Sequence, residues 1–217
     1  LVGSNGDGIE LPNFVDYSPG LRTISFSDGL TVDIYALRDG GLVTDDQTIQ
    51  GGPGGGVLIG GAGNDFIQSG GGSTALIGGA GDDALVGGSG PNMFLGGPGN
   101  DFLVGGSGGN TFFLIVGNGL DSIQIPNYLT SIETNTVQFG GAYDTYHPTS
   151  GVGSLVIRYG TAGDELHILD FDPDDVFAPP AIHTFQFTDR TLTYGELIAL
   201  GFDIEGTTGN DVLSGTN

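Results

Sequence analysis

The sequence contains no cysteine and no lysine, and its four basic residues are all arginine. Without cysteine there is neither a disulfide framework nor a thiolate metal site. Four cations against 26 acidic residues, a formal charge of −22, leave no basic patch. That excludes nucleic acid and insertion at anionic membranes, which need such a patch to release counterions. A charge this one-sided also opposes compaction unless cations from solution neutralise it. Long apolar runs are missing too: the longest, Phe112 to Val116, is far short of the roughly 20 residues that span a bilayer, and no segment reads as a signal peptide. His147, His167 and His183 are widely separated, with no HExxH motif. Ser107, in a Gly-Gly-Ser-Gly-Gly frame, belongs to the repeat and not to a nucleophile elbow. No enzyme is expected. The chain begins at Leu1, which reads as a fragment or a processed piece.

Glycine is what the sequence has in abundance. There are 44 in 217 residues, against an average usage of roughly 7%, and they lack the triplet period of collagen. From Gly51 to Phe113 the chain divides without insertion into seven blocks of nine: GGPGGGVLI, GGAGNDFIQ, SGGGSTALI, GGAGDDALV, GGSGPNMFL, GGPGNDFLV and GGSGGNTFF. Glycine holds the first, second and fourth places, with Ser69 the one departure among the first places. The eighth place is always large and apolar: Leu58, Ile67, Leu76, Leu85, Phe94, Leu103 and Phe112. Six residues of turn, whose backbone angles suit glycine, precede three of strand with the eighth side chain pointing inward. Two such blocks make one coil, and coils stack at strand spacing, about 4.8 Å.

The sixth place reads Gly56, Asp65, Thr74, Asp83, Asn92, Asp101, Asn110. Two blocks per coil put the three aspartates on one edge and the neutral residues on the other. Neighbouring carboxylates one coil apart repel by about 3 kcal/mol at an effective dielectric near 20, and a hard divalent cation between coils reverses that sign.

These blocks closely resemble the RTX (repeats-in-toxin) nonapeptide family, GGxGxDxUx. The resemblance implies an all-β fold, a right-handed parallel β-roll, with Ca²⁺ between adjacent turns of one edge. Its ligands would be the carboxylates of Asp65, Asp83 and Asp101 and the backbone carbonyls of the turns, at Gly61, Gly63, Gly79, Gly81, Gly97 and Gly99. One site would lie between Asp65 and Asp83 and another between Asp83 and Asp101; an end site would involve Asp45 or Asp46. The Thr74 and Asn92 edge departs from the pattern and is expected to be neutral and bonded by side chains.

The outward seventh and ninth places are also apolar, among them Val57, Ile59, Phe66, Ile77, Val86, Met93, Leu95, Phe102, Val104 and Phe113. Apolar stripes of this extent imply a cover: the chain's own flanks on one face and a neighbouring subunit on the other. The flanks repeat at long range. Gly6 to Phe14 parallels Gly163 to Phe171, and Arg22 to Asp28 parallels His183 to Asp189, each pair about 160 residues apart. Thr111 to Ile123, Ser154 to Phe171 and His183 to Leu197 resemble the haemolysin-type calcium-binding-related segments that alternate with RTX blocks.

Residues 1–41 and 123–205 are therefore expected as β-rich flanks of a roll at 42–122. Residues 206–217, with Asp211 in the sixth place, open a further nonapeptide. Short β-prone runs occur at Leu21 to Phe26, Val32 to Leu37, Ile123 to Ile125, Val137 to Phe139, Leu155 to Tyr159, Leu166 to Leu169 and Thr184 to Phe187. One short helix is signalled by a capping box, Thr193-Tyr194-Gly195-Glu196. Gly140 to Gly153 and Pro173 to Pro180 read as loops, the latter beside an acidic cluster of Asp170, Asp172, Asp174 and Asp175 that reads as solvated.

The function expected is a calcium-binding structural module of a large secreted bacterial protein, of adhesin, surface-layer or filament type. By resemblance it would leave the cell unfolded through a type I secretion system and fold on meeting calcium. Its partners would be copies of itself or neighbouring repeats. Two alternatives stand beside this: a carbohydrate-binding module such as those attached to alginate epimerases, for which a glycan is the partner, and the repeat region of a toxin or protease.

Overall fold

The computed structural model describes residues 23–25, 31–33, 46–126, 134–143, 146–151, 154–159, 163–169, 180–200 and 203–204. Each nonapeptide yields one strand. β3 (Thr48–Gln50), β5 (Phe66–Gln68), β7 (Ala84–Val86) and β9 (Phe102–Val104) stack in parallel on one side of the coil. β4 (Gly56–Gly61), β6 (Thr74–Gly79), β8 (Asn92–Leu95) and β10 (Asn110–Leu114) do so on the other. The result is the expected β-roll: two mainly parallel sheets facing each other. A hairpin of β1 (Thr23–Ser25) and β2 (Thr31–Asp33) lies beside β4.

The core is a double file of eighth-place residues. Ile49, Ile67, Leu85 and Leu103 stack along one sheet, and Leu58, Leu76, Phe94 and Phe112 along the other. All are buried, each worth about 1.5–3 kcal/mol relative to exposure. Phe94 and Phe112 stack with ring centroids 4.7 Å apart. Outward residues stay open: Phe66, Met93 and Phe102 are 40%, 51% and 40% exposed.

Both sheets run on past the nonapeptides. β11 (Leu120–Gln124) adds to β9 and β12 (Thr136–Phe139) adds to β10, so Ile123 and Val137 continue the two files. The roll-to-flank boundary expected after residue 122 thus falls inside a strand. β15 (Asp164–Leu169) and β16 (Thr184–Gln186) extend the sheets once more in parallel. Antiparallel pairs then finish them, apart from β18, which runs parallel to β13. β13 (Tyr146–Gly151) and β14 (Ser154–Tyr159) follow β15, with β18 (Asp203–Ile204) outermost, and β17 (Thr191–Thr193) follows β16.

One expectation is corrected here. Gly140 to Gly153 is not all loop, because β13 occupies Tyr146–Gly151. Its polar residues show no alternation, and pairing with β14 and β18 makes it a strand. The helix α1 (Tyr194–Ala199) forms where the capping box predicts: the Glu196 amide donates to Thr193 Oγ1 and the Thr193 amide to Glu196 Oε2, while Leu197 is buried. Residues 34–37 and the acidic cluster at 170–175 lie outside the described residues.

Candidate metal-binding edge

The turns at 60–65, 78–83, 96–101 and 115–120 lie above one another along one edge of the roll, and those at 51–55, 69–73, 87–91 and 105–109 along the other. Stacking is tight enough to forbid side chains. At Gly79, with φ +125°, a Cβ would sit 1.8 Å from the Gly61 carbonyl oxygen, and Gly97 stands in the same relation to Gly79. Carbonyls of the second-place glycines therefore point directly at the next coil. Gly61, Gly79, Gly81, Gly97 and Gly99 all have positive φ, and Gly81 rests on Gly63 as Gly99 rests on Gly81.

The sixth-place aspartates form a buried ladder. Asp65, Asp83 and Asp101 are each 2% exposed. One oxygen of each is used: Asp65 Oδ1 accepts from the Gln47 amide at 2.6 Å, Asp83 Oδ1 from Asp65 at 2.7 Å, and Asp101 Oδ1 from Asp83 at 2.9 Å. The other oxygen, Oδ2, is buried without a hydrogen-bond partner in all three. It faces the first-place glycine of its own turn and, for Asp65 and Asp83, the carbonyl of the turn above. A Cβ on Gly60 would meet Asp65 Oδ2 at 2.0 Å and Gly78 O at 2.5 Å; one on Gly78 would meet Asp83 Oδ2 at 2.1 Å and Gly96 O at 2.7 Å. Outside this ladder runs an exposed one, in which the amides of Asn64, Asp82 and Asn100 donate to the side-chain oxygens of Asp46, Asn64 and Asp82. Asp46 is thus a fifth-place residue, with Gln47 in the sixth place of its turn. Asp45 lies outside the described residues.

The opposite edge shows what surrounds the sixth place. Asn92 Nδ2 donates to the carbonyls of Gly90 (2.7 Å) and Gly88 (3.4 Å), and Asn110 Nδ2 to those of Gly108 (2.8 Å) and Gly106 (3.0 Å). These are the fourth- and second-place carbonyls of the same turn. Asn110 Nδ2 also reaches Asn135 Oδ1, and Asn135 Nδ2 reaches Ala181 O, so the amides continue past the repeats. Thr74 takes a bond from Ser69 Oγ. The expected neutral, side-chain-bonded edge is present.

The two edges differ in what the sixth-place group brings to its glycine turn. An amide nitrogen donates to the turn carbonyls, whereas a carboxylate oxygen, itself an acceptor, can meet them favourably only through a cation. Among the described residues no three acidic or histidine side chains converge. Such an ion would therefore rely mainly on backbone carbonyls, a donor set of hard oxygens that suits Ca²⁺.

Burial dominates the electrostatics of the ladder. It raises Asp65 above the usual carboxylate range and lifts Asp83 to about 6 and Asp101 to about 8, with neighbouring aspartates adding to the shift and accepted amide bonds opposing it.

A fourth rung escaped the sequence reading. Asp121 stands opposite Asp101 across the β9–β11 ladder, is fully buried, and accepts from the Asp101 amide at 3.1 Å. Burial lifts it to about 7. Its signal was present in Gly117-Asn118-Gly119-Leu120-Asp121-Ser122-Ile123, a G-x-G-x-D-x-I run displaced by two residues from the nine-residue phase. Two of the histidines make structural contacts: His183 Nδ1 accepts from the Asn135 amide, and His167 Nε2 pairs with Glu165, which also binds Arg158.

A family model described as the RTX calcium-binding nonapeptide repeat matches the chain in four copies, over residues 44–74, 77–112 and 203–217. No curated protein matches the chain. RTX nonapeptide repeats bind calcium and are a structural, non-catalytic module, and proteins that carry them are typically secreted. No helix among the described residues is long and apolar enough to cross a membrane. Over these matched segments the chain carries RTX calcium-binding nonapeptide repeats, and the two glycine-turned edges and the double file of core residues are the form they take here.

Proposed function

We propose that Ca²⁺ lies between successive turns of the aspartate edge, held by Asp65, Asp83 and Asp101 and by the carbonyls of Gly61, Gly63, Gly79, Gly81, Gly97 and Gly99. The observation that carries this reading is the set of three buried carboxylate oxygens without a hydrogen-bond partner, those of Asp65 and Asp83 beside a carbonyl of the turn above, on an edge whose counterpart offers asparagine amides to its turn carbonyls. Calcium is then a folding ligand: binding free energy is folding free energy when the site does not exist in the unfolded chain.

The chain serves as a structural repeat of a large secreted surface or extracellular protein of bacteria, of adhesin, surface-layer or filament type. With a charge of −22 it stays unfolded where calcium is scarce, passes a type I exporter, and folds outside, where sites of roughly 10⁻⁴–10⁻³ M affinity fill. The exposed Phe66, Met93 and Phe102 support contact with a neighbouring copy or repeat.

Far-UV circular dichroism during Ca²⁺ titration of chelator-treated protein, with particle size followed in parallel, tests both halves. A rise in β signal is expected, accompanied by growth in size. A β signal already complete in chelator would sink the calcium-folding reading, and a monomer at high concentration in calcium would sink assembly.

A further inference from the structure

Resting on the repeat-module reading above, and naming its partner, we propose that the outer edge of β17 is the seat of the first sheet strand of a following roll. That roll is of the same kind and joined to this one in tandem, continued from residues 206–217. The surface is an end of the roll, distinct from the face that carries Phe66, Met93 and Phe102. One observation of sequence and one of strand order carry the joint.

The chain holds the same hairpin twice. Arg22-Thr23-Ile24-Ser25-Phe26-Ser27-Asp28 parallels His183-Thr184-Phe185-Gln186-Phe187-Thr188-Asp189. A little further on, Thr31-Val32-Asp33 parallels Thr191-Leu192-Thr193 at about the same separation. Strands form at matching places in the two stretches. Thr23–Ser25 of β1 corresponds to Thr184–Gln186 of β16, and Thr31–Asp33 of β2 to Thr191–Thr193 of β17. Both pairs are antiparallel. β2 and β17 are therefore counterparts.

Their surroundings differ in one respect. β4 is the outermost strand of the seven-stranded sheet at one end, and β2 lies beside it. At the other end of that sheet β17 is outermost. Among the described strands it pairs with β16 alone, and Thr191 and Thr193 are exposed. The sheet-edge neighbour that β2 has and β17 lacks is a β4. An open edge offers its backbone groups to an added strand, and a solenoid unit covers its end against the next unit. The sequence that leads toward such a strand is present. Residues 203–217 match the nonapeptide model. Gly209-Asn210-Asp211-Val212-Leu213-Ser214-Gly215 aligns with Asp45-Asp46-Gln47-Thr48-Ile49-Gln50-Gly51, the run that precedes β4. One hairpin then closes each roll and founds the next.

Hydrogen exchange in saturating Ca²⁺ tests the joint on the full chain and on the full chain lengthened by a second copy of residues 54–217. Placed after Asn217, which stands at the place of Pro53, that copy keeps the nine-residue phase. The amides of Thr191–Thr193 are expected to exchange about tenfold more slowly in the lengthened chain. Equal exchange in two folded chains would overturn the joint alone. Chains without β structure in calcium would overturn the module reading and the joint with it. Should only the lengthened chain fail to fold, the hairpin already in place decides. Val32→Pro, which removes a strand amide from β2, is expected to speed exchange across Gly56–Gly61 of β4 several-fold. Exchange unchanged there would overturn the proposal, because β2 would then not be what covers β4.

Discussion

The two edges of the roll share a glycine backbone and an eighteen-residue step, and they differ in whether the sixth place presents a carboxylate or an amide. On the asparagine edge the turn carbonyls of Gly88, Gly90, Gly106 and Gly108 receive N–H donors from within the chain. On the aspartate edge three carboxylate oxygens are buried with nothing to accept from. Exchanging an NH₂ for an O⁻ reverses the polarity of the cradle, and the turns differ with it: second-place Gly61, Gly79 and Gly97 on the aspartate edge have positive φ, whereas Gly52, Gly70, Gly88 and Gly106 do not. On the proposed reading, dependence on metal belongs to one edge, while the other supplies its own donors to the turn carbonyls and leaves only Asn92 Oδ1 unpartnered among its described buried side chains.

Removing calcium should produce the largest effect. Each unpaired buried acceptor costs about 1–3 kcal/mol, more when charged, and three or more together rival the 5–15 kcal/mol stability of a typical domain. In chelator at pH 8 most of the cooperative melting transition should disappear. Acid should bring it back. The folded-state values of Asp83, Asp121 and Asp101 are raised to about 6, 7 and 8. Their stabilising contribution is fully present below the unfolded carboxylate value, about 3.9, and is lost as pH rises through 6 to 8. Melting temperature in chelator should therefore climb from pH 8 to pH 5, whereas in saturating calcium the trend should reverse, since protons compete with the ion. A pH-independent melt in chelator would break the contrast between the edges.

Exchanging the edges' chemistry one residue at a time comes next in size. Asn92→Asp removes the donors to Gly88 and Gly90 and places a charge where Asn92 is 1% exposed. A cost of about 3–5 kcal/mol is expected in chelator, partly recovered in calcium. Asp83→Asn should do the opposite and do it more gently. Its amide can donate to the turn carbonyls, stabilising the metal-free chain by about 1–3 kcal/mol, while calcium then adds less. Denaturant midpoints measured in both media give all four values. Equal responses of the two variants to calcium would mean that the sixth place does not decide which edge binds.

The distinction between the edges was legible before any coordinates, because it rests on a strict period. Nine-residue spacing fixes which residues share an edge, and Asp65, Asp83 and Asp101 fall out of it directly. What the period could not reveal is where the coil changes length. Asp121 is displaced by two residues, and Asn135, which continues the asparagine ladder, follows Asn110 by 25. Both are placed by pairing between strands, a long-range matter that local pattern does not encode. β13 is the same lesson inside the flank: a segment with turn-like composition becomes a strand because β14 and β18 flank it. The helix at Tyr194–Ala199 was readable because a capping box is local, held by Thr193 and Glu196 alone.

The smallest expected effect separates what a turn requires from what stacking requires. Gly52 and Gly70 occupy the same second place on the asparagine edge, one coil apart, and neither has positive φ. A Cβ on Gly70 would lie 2.5 Å from Gly51 O and 2.6 Å from Gly52 O, while one on Gly52 would meet nothing within 4 Å. If glycine is demanded by the coil beneath and not by the turn's own angles, Gly52→Ala should stay within about 0.5 kcal/mol of the unsubstituted chain. Gly70→Ala should cost about 1–3 kcal/mol, the usual penalty for overpacking. Chemical denaturation in calcium distinguishes them. Should Gly52→Ala cost as much as Gly70→Ala, something packs beneath the first coil in solution. The lower end of the roll would then be a joint with the chain's own flank or another copy, and the requirement for glycine there would come from that joint.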